Sequence, residues 1–134
     1  MTGSPGGRSL TPEEEGRIVD IAMELARTGQ TAELLDFLDH GVPVDTTDAD
    51  GNSFVMLAAY HGRDETVLAL IARGADVNLR NARDQSPVAG AMFKGEDAVV
   101  RALVTAGADL DAGTPTARQA AELFGRNHLL EVEP

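Results

Sequence analysis

The chain has 134 residues and a mass of 14.1 kDa, which predicts one domain and leaves no room for a separate catalytic domain. Asp and Glu total 22 against 11 Lys and Arg, so the formal net charge is −11. A surface of this sign repels phosphate backbones and anionic lipid, which argues against nucleic-acid and membrane-surface partners.

The absence of cysteine from the sequence excludes disulfides, cysteine-based zinc sites and a thiol nucleophile. No apolar run approaches the length of a bilayer span, and the first ten residues lack the apolar stretch of a secretory signal. We therefore expect a cytoplasmic protein. We also expect a flexible tail over residues 1–10, ahead of a single domain over residues 11–134.

The first predicted helix opens with a capping box, Thr11-Pro12-Glu13-Glu14, with proline at the first helical position. It is predicted to run to about Thr28. Four residues are expected to face inward: Ile18, Ile21, Ala22 and Leu25. The opposite side of the helix is polar, and the far end of the chain repeats this pattern. If the chain is built of stacked repeats, such polar outer faces are what its two end units require, so we expect the stack to be closed at both ends.

Two sets of glycines recur at a period of 33 residues: Gly29, Gly62 and Gly95, then Gly41, Gly74 and Gly107. Apolar residues between them keep the same period: Leu34, Val67 and Val100, then Leu38, Ile71 and Val104. Two independent sets with one period indicate a repeat protein. The units lie at about residues 11–47, 48–80, 81–112 and 113–134.

Each unit is predicted to form two short helices followed by a loop. In the second unit, Ser53 is the N-cap candidate, Gly62 ends the first helix, and a second helix spans about residues 65–72. Residues 75–81 alternate like a short extended segment before a polar turn. In the third unit, Ser86-Pro87 places a capping serine before a proline at the first helical position.

These units resemble ankyrin repeats over about residues 12–132. The resemblance rests on the turn at residues 48–53, on Leu57-Ala58-Ala59-Tyr60-His61-Gly62, and on the runs that begin at Gly74 and Gly107. It implies an all-α solenoid of stacked helix-turn-helix units with short β-turn or hairpin loops. It also implies about four repeats, including end caps, and a role in binding other proteins.

The sequence departs from the T-P-L-H start of the family, with Ser53-Phe54-Val55-Met56 and Ser86-Pro87-Val88-Ala89 in its place. The missing histidine removes a hydrogen bond between units, so we expect modest stability. Asp84 stands where Gly51 stands one unit earlier, and we expect it to adopt a left-handed conformation. Gly90 lies inside a predicted helix and is expected to cost about 1 kcal/mol relative to alanine.

No constellation of residues supports catalysis. His40, His61 and His128 are not paired at metal-ligand spacing, and none adjoins a candidate nucleophile, so solvated histidines are expected. The acidic stretch over residues 45–51 lacks two ligands that a calcium-binding loop needs, so it is interpreted as a turn. We therefore predict no enzymatic activity, no cofactor and no metal site.

The resemblance places partner contacts on the concave side, at the turn tips and at the ends of the first helices. Tyr60 and Phe93 are 33 residues apart there, so they are predicted to be neighbouring anchors. The predicted polar surround consists of Arg27, Asp50, Asn52, His61, Arg83 and Lys94. In the alternative interpretation, one or both rings pack between helices.

The leading hypothesis is a non-enzymatic module that binds another protein through the concave face. An alternative is an acidic inhibitor or immunity-like regulator that covers a basic site on a target enzyme. A small hydrolase or metal-dependent enzyme is a third hypothesis, which rests only on the surplus of carboxylates. A monomer is expected, with weak self-association through Tyr60 and Phe93 as a further alternative.

Overall fold

The computed structural model of the protein describes residues 9–131, so residues 1–8 of the predicted tail lie outside the described part. Its helices are α1 (Pro12–Thr28), α2 (Thr31–Asp39), α3 (Phe54–Tyr60), α4 (Asp64–Ala72), α5 (Pro87–Lys94), α6 (Asp97–Thr105), α7 (Ala117–Phe124) and a terminal 3₁₀ helix (Asn127–Leu130). The predicted end of the first helix at Thr28 is confirmed.

The helices form two parallel stacks. The first helix of each unit contacts the first helix of the next, in the order α1, α3, α5 and α7. The second helices α2, α4, α6 and the terminal 3₁₀ helix stack in the same way. Each helix pair falls inside one predicted unit, and the predicted all-α repeat solenoid is confirmed.

The loops between units contain no β-strand within residues 9–131, only an isolated antiparallel bridge between Thr47 and Ser53. The extended segment predicted over residues 75–81 is therefore not a strand. A turn at Val77 and Asn78 interrupts it. The backbone N–H of Asn78 donates to the side chain of Asp76 at 2.9 Å, and this local bond favours the turn over extended backbone.

A serine or threonine side chain caps the N-terminus of every first helix. The Oγ1 of Thr11 accepts from the backbone N–H of Glu14 at 3.1 Å, and the Oγ of Ser53 accepts from Met56 at 3.1 Å. Ser86 and Thr116 cap α5 and α7 in the same way. A cap of this kind contributes about 1 kcal/mol, so these residues fix where the first helices start.

The second helices have no side-chain cap at their N-termini. They depend instead on packing, because isolated helices of this length are marginal in water. Leu34, Val67 and Val100 occupy equivalent positions on α2, α4 and α6, and all three are fully buried. The 33-residue period of apolar residues is thus the period of the core.

The inward face of α1 differs from the prediction at one position. Ile21 is 52% exposed, whereas Ala22, Met23 and Ala26 form the buried line of this helix. Within residues 9–131, α1 packs against the first helix α3 on one side, and no described unit covers the side that carries Ile21. The expectation that Ile21 faces the core was wrong.

Adjacent turns at the loop tips pack backbone against backbone. The carbonyl of Asp50 accepts from the backbone N–H of Ala82 at 2.9 Å. At Gly51 the backbone has a φ of 79°, and a β-carbon there would lie 2.9 Å from the Ala82 nitrogen. Asp84, at the equivalent position one unit later, has a φ of 61°, as predicted.

Candidate functional site

One row of exposed side chains crosses the stack of first helices. The positions two residues before each helix-ending glycine are Arg27, Tyr60, Phe93 and Leu123, and all four are exposed. The residues that follow three of them, His61, Lys94 and Phe124, extend the row. We call these seven residues the first-helix strip. It lies on the side that the resemblance describes as concave.

Side chains of the strip contact each other between successive units. The rings of Phe93 and Phe124 meet edge to face, with centroids 5.4 Å apart. The Nζ of Lys94 lies 5.0 Å from the centre of the Tyr60 ring. Such contacts are worth about 0.5–1.5 kcal/mol each, so they hold the rings in place without burying them.

Tyr60 and Phe93 are neither fully exposed nor packed away. Tyr60 is 36% exposed and Phe93 is 57% exposed. One side of the Tyr60 ring rests on α5, where a β-carbon at Gly90 would lie 3.2 Å from the Cδ1 atom of the ring. Gly90 therefore forms a seat for the ring, in addition to lowering the helix propensity of α5.

An apolar groove of about 400 Å³ lies between α3, α5 and α7. Its walls include Tyr60, Phe93, Leu123 and Phe124, and Gly90 lies between the first two. Leu123 is 77% exposed, the largest value among the exposed large apolar residues of the described chain. The C-terminal half of the strip is thus an open apolar surface.

A second groove, of about 280 Å³, runs beside the loop tips. Five of the eight residues predicted to bind a partner line it: Asp50, Asn52, Tyr60, His61 and Arg83. The two grooves share Met56, Tyr60 and Gln85, so Tyr60 stands where they meet. The remaining predicted residues, Arg27, Phe93 and Lys94, lie on the strip.

The polar residues at the loop tips also serve the fold. The side-chain oxygen of Asn52 accepts from the Nδ2 of Asn81 at 2.8 Å, and its backbone N–H donates to Asp48 at 2.9 Å. The side-chain amide of Asn52 therefore joins its own turn to the turn of the next unit. Arg83 is exposed, and its backbone N–H donates to the Asn81 side chain at 3.0 Å.

Cations gather at the N-terminal end of the strip. Arg27 pairs with Glu24 on the same helix, and this hydrogen bond is the main reason that the pKa of Glu24 is lowered. The Nε of Arg63 donates to the backbone carbonyl of Arg27 at 3.0 Å, which holds its side chain over Gly29. Within residues 9–131, neither Arg63 nor Lys94 has a carboxylate within 4.0 Å.

The pKa of His61 reports the potential at this end of the strip. Burial lowers the pKa most, and the charges of Arg27, Lys94 and Arg63 lower it further. Only Glu24 acts in the opposite direction, and its effect is the smallest. Among the charged groups that act on the pKa of His61, cations thus outnumber carboxylates, although the chain as a whole has a net charge of −11.

Metal and membrane features are absent from the described part of the chain. No group of three or more His, Cys, Asp or Glu side chains in residues 9–131 could hold a metal ion. Over the same residues, none of the helices combines the length and apolar character needed to cross a bilayer.

Comparison with known families agrees with this geometry. A family model for ankyrin repeats in three copies matches residues 22–114. The chain belongs to the ankyrin repeat family. A Pseudomonas aeruginosa protein that is named as an ankyrin repeat protein is 39% identical over 67 residues. That match covers 50% of this chain and 38% of the relative, so the chain spans well under half of the relative's length.

Sequence reasoning missed two residues that contact the first-helix strip. Arg63 follows a helix-ending glycine, and nothing in its position indicates that its side chain folds back over the preceding unit. Gly90 was interpreted only as a weak helix former. The signal that could have found its role is the pairing of a glycine on one first helix with an aromatic residue on the previous one.

Proposed function

We propose that this ankyrin repeat protein is a non-enzymatic module that binds another protein through the first-helix strip. Ankyrin repeats are generally protein–protein interaction modules, which supports the general part of the proposal. The choice of surface depends on one observation. Of the chain's five aromatic residues, Tyr60, Phe93 and Phe124 are all exposed, and all lie on this strip.

Binding would depend on complementary shape and on the loss of water from the rings. Large aromatic side chains with a polar surround are typical of the few residues that carry most of an interface's free energy. Tyr60 and Phe93 are the anchors in this proposal. Arg27, Asp50, His61, Arg83 and Lys94 supply the polar surround, and Asn52 fixes the shape of the turn.

The acidic-inhibitor alternative would use a different surface. A protein that mimics an anionic substrate has to present carboxylates where it meets its target. The first-helix strip presents aromatic rings and cations instead. An inhibitor of this kind would therefore bind through a surface other than the strip, and no contact described above favours one.

Capture of the partner from lysate of the source cells tests the proposal. The bait is the full chain, compared with the Tyr60→Ala/Phe93→Ala double variant. Loss of both anchors is expected to weaken binding by at least about 2 kcal/mol, or about thirtyfold in Kd. Affinity is then measured by calorimetry with the purified partner.

Leu10→Ala/Leu68→Ala is the matched control, because both residues are exposed apolar side chains outside the strip. The control is expected to bind as the unchanged chain does. Equal affinity of all three proteins for the captured partner would disprove the strip assignment. Sizing over a range of concentrations separates self-association from binding of a different protein.

A further inference from the structure

The two halves of the first-helix strip differ in chemistry. The C-terminal half presents Phe93, Leu123 and Phe124 around an apolar groove. The N-terminal half presents Lys94, Arg63 and His61. In the described chain neither permanent cation has a carboxylate within 4.0 Å, although the Glu96 carboxylate lies over Gly62 beside them. The C-terminal half also carries a cation, Arg126, but its guanidinium lies 5.6 Å from the Phe124 ring and is paired with Asp97 at 3.9 Å. A ligand that fits both halves needs an apolar part and an anionic part.

The distance between the halves restricts the kind of ligand. Packed helices lie about 8–10 Å apart, so the part of the groove beside Phe93 and Leu123 is about 10–15 Å from the Arg63 end of α3. An extended chain advances about 3.3 Å per residue, so three to five residues span that distance. The strip is only one or two side chains wide at each helix, which suits an extended segment better than a broad folded surface.

We propose that the first-helix strip binds a peptide segment of its partner that carries one large apolar side chain and, about three to five residues away, acidic side chains. The apolar side chain enters the groove beside Phe93 and Leu123. The carboxylates meet Arg63 and Lys94. This inference rests on the proposed function and adds the chemistry of the partner to it.

The acidic surface of the rest of the chain restricts where an acidic segment can bind. With a net charge of −11, the protein repels an acidic partner everywhere except where cations are concentrated. An acidic segment would therefore be steered toward Arg63 and Lys94, because Arg126 at the other end of the strip is already paired with Asp97. The pattern of charge would discriminate against basic segments by repulsion at Arg63 and Lys94.

Selection from a displayed library of random peptides of about ten residues tests the inference. The full chain is the target, in parallel with the Arg63→Glu/Lys94→Glu double variant. Arg101→Glu is the control, since Arg101 is an exposed cation on α6, away from the strip. Circular dichroism checks that all variants keep their helices.

Peptides that combine an apolar residue with nearby Asp or Glu are expected from the full chain and from Arg101→Glu. The best such peptide, made synthetically, should bind the Arg63→Glu/Lys94→Glu variant at least about tenfold more weakly, and replacing its acidic residues by Gln or Asn should have a similar effect. Selection of basic peptides, indifference to the Gln exchange, or no enrichment at all would overturn the inference.

The same peptides separate this inference from the proposed function. If the selected peptides lose affinity for the Tyr60→Ala/Phe93→Ala variant but not for the charge-reversed one, the strip remains the binding surface and the acidic preference is wrong. If they bind both variants as tightly as the full chain, the strip assignment fails together with the inference.

Discussion

The buried rows of the stack and the first-helix strip follow the same period but tolerate different residues. Along the buried row, Leu34, Val67 and Val100 are all aliphatic and fully buried. Along the strip, the equivalent positions hold Arg27, Tyr60, Phe93 and Leu123, which are all exposed but range from a cation through two aromatic rings to an aliphatic side chain. A close-packed interior accepts few changes in volume, whereas an exposed row can change its chemistry without loss of the fold.

The largest expected effect tests the buried side of this comparison. Leu70 on α4 is fully buried, so Leu70→Ala is expected to lower the free energy of unfolding by about 2–5 kcal/mol through lost burial and a residual cavity. Because repeat units are stabilised mainly by their neighbours, a defect in a middle unit weakens both interfaces. Urea unfolding followed by circular dichroism measures the change.

Leu68→Ala on the same helix is the control for that measurement. Leu68 is 55% exposed, and its truncation is expected to change stability by less than about 0.5 kcal/mol. Equal destabilisation by both variants would mean that α4 is not packed as described. The control would also show that an apolar residue at this place is not needed for the fold.

A middle-sized effect is expected at Gly90, where the buried stack and the strip meet. Gly90→Ala raises helix propensity by about 1 kcal/mol, but its β-carbon presses on the Tyr60 ring at 3.2 Å. Since Tyr60 is 36% exposed, the ring has room to tilt. We expect unfolding to cost up to about 1 kcal/mol more and partner binding to weaken, because the anchor ring is displaced.

Thermal unfolding together with the calorimetric assay measures both effects of Gly90→Ala. In a Tyr60→Ala background, Gly90→Ala has no ring to displace. There it should raise the free energy of unfolding by the full gain in helix propensity, about 1 kcal/mol, and leave partner affinity equal to that of Tyr60→Ala alone. A destabilised Gly90→Ala variant would show that the Tyr60 ring is held more firmly than its exposure indicates.

The sequence allowed the fold to be predicted almost in full, because the signals that mark the helix ends are local and the units repeat. Serine and threonine caps and helix-ending glycines act within one or two turns of helix, and the 33-residue period of aliphatic residues shows how the units stack. The conformation of Asp84 could be predicted for the same reason. The error at Ile21 has another cause, since the exposure of this side chain depends on which units pack against α1 and not on the sequence of α1 itself.

Less of the candidate site could be predicted, because it depends on contacts between units. Repeat position alone places Tyr60 and Phe93 on one face, and their exposure agrees with that prediction. Whether they bind a partner stays a prediction. The rest of the site depends on how far one unit is displaced from the next, which no local pattern encodes. This displacement determines the groove beside Leu123, the contact of Gly90 with the Tyr60 ring and the position of the Arg63 side chain over Gly29.

The smallest expected effect contrasts a histidine of the strip with one outside it. Burial and the cations beside His61 lower its pKa, whereas a bond to the backbone carbonyl of Asp36, and then the charge of that residue, raises the pKa of His40. In an NMR titration His61 should therefore lose its proton at a lower pH than His40.

The two histidines should also affect stability with opposite signs as pH falls from neutral to about pH 5.5. His61 binds a proton less readily in the folded chain than in the unfolded one, so its contribution is present above its ordinary pKa and is lost on acidification. His40 binds a proton more readily when folded, so its contribution is present at acidic pH and is lost as pH rises through its raised pKa. Urea midpoints at the two pH values should therefore make His61→Gln less sensitive to acid than the unchanged chain, and His40→Gln more sensitive. Identical pH responses of the two variants would mean that neither burial nor the neighbouring cations lower the pKa of His61 in solution.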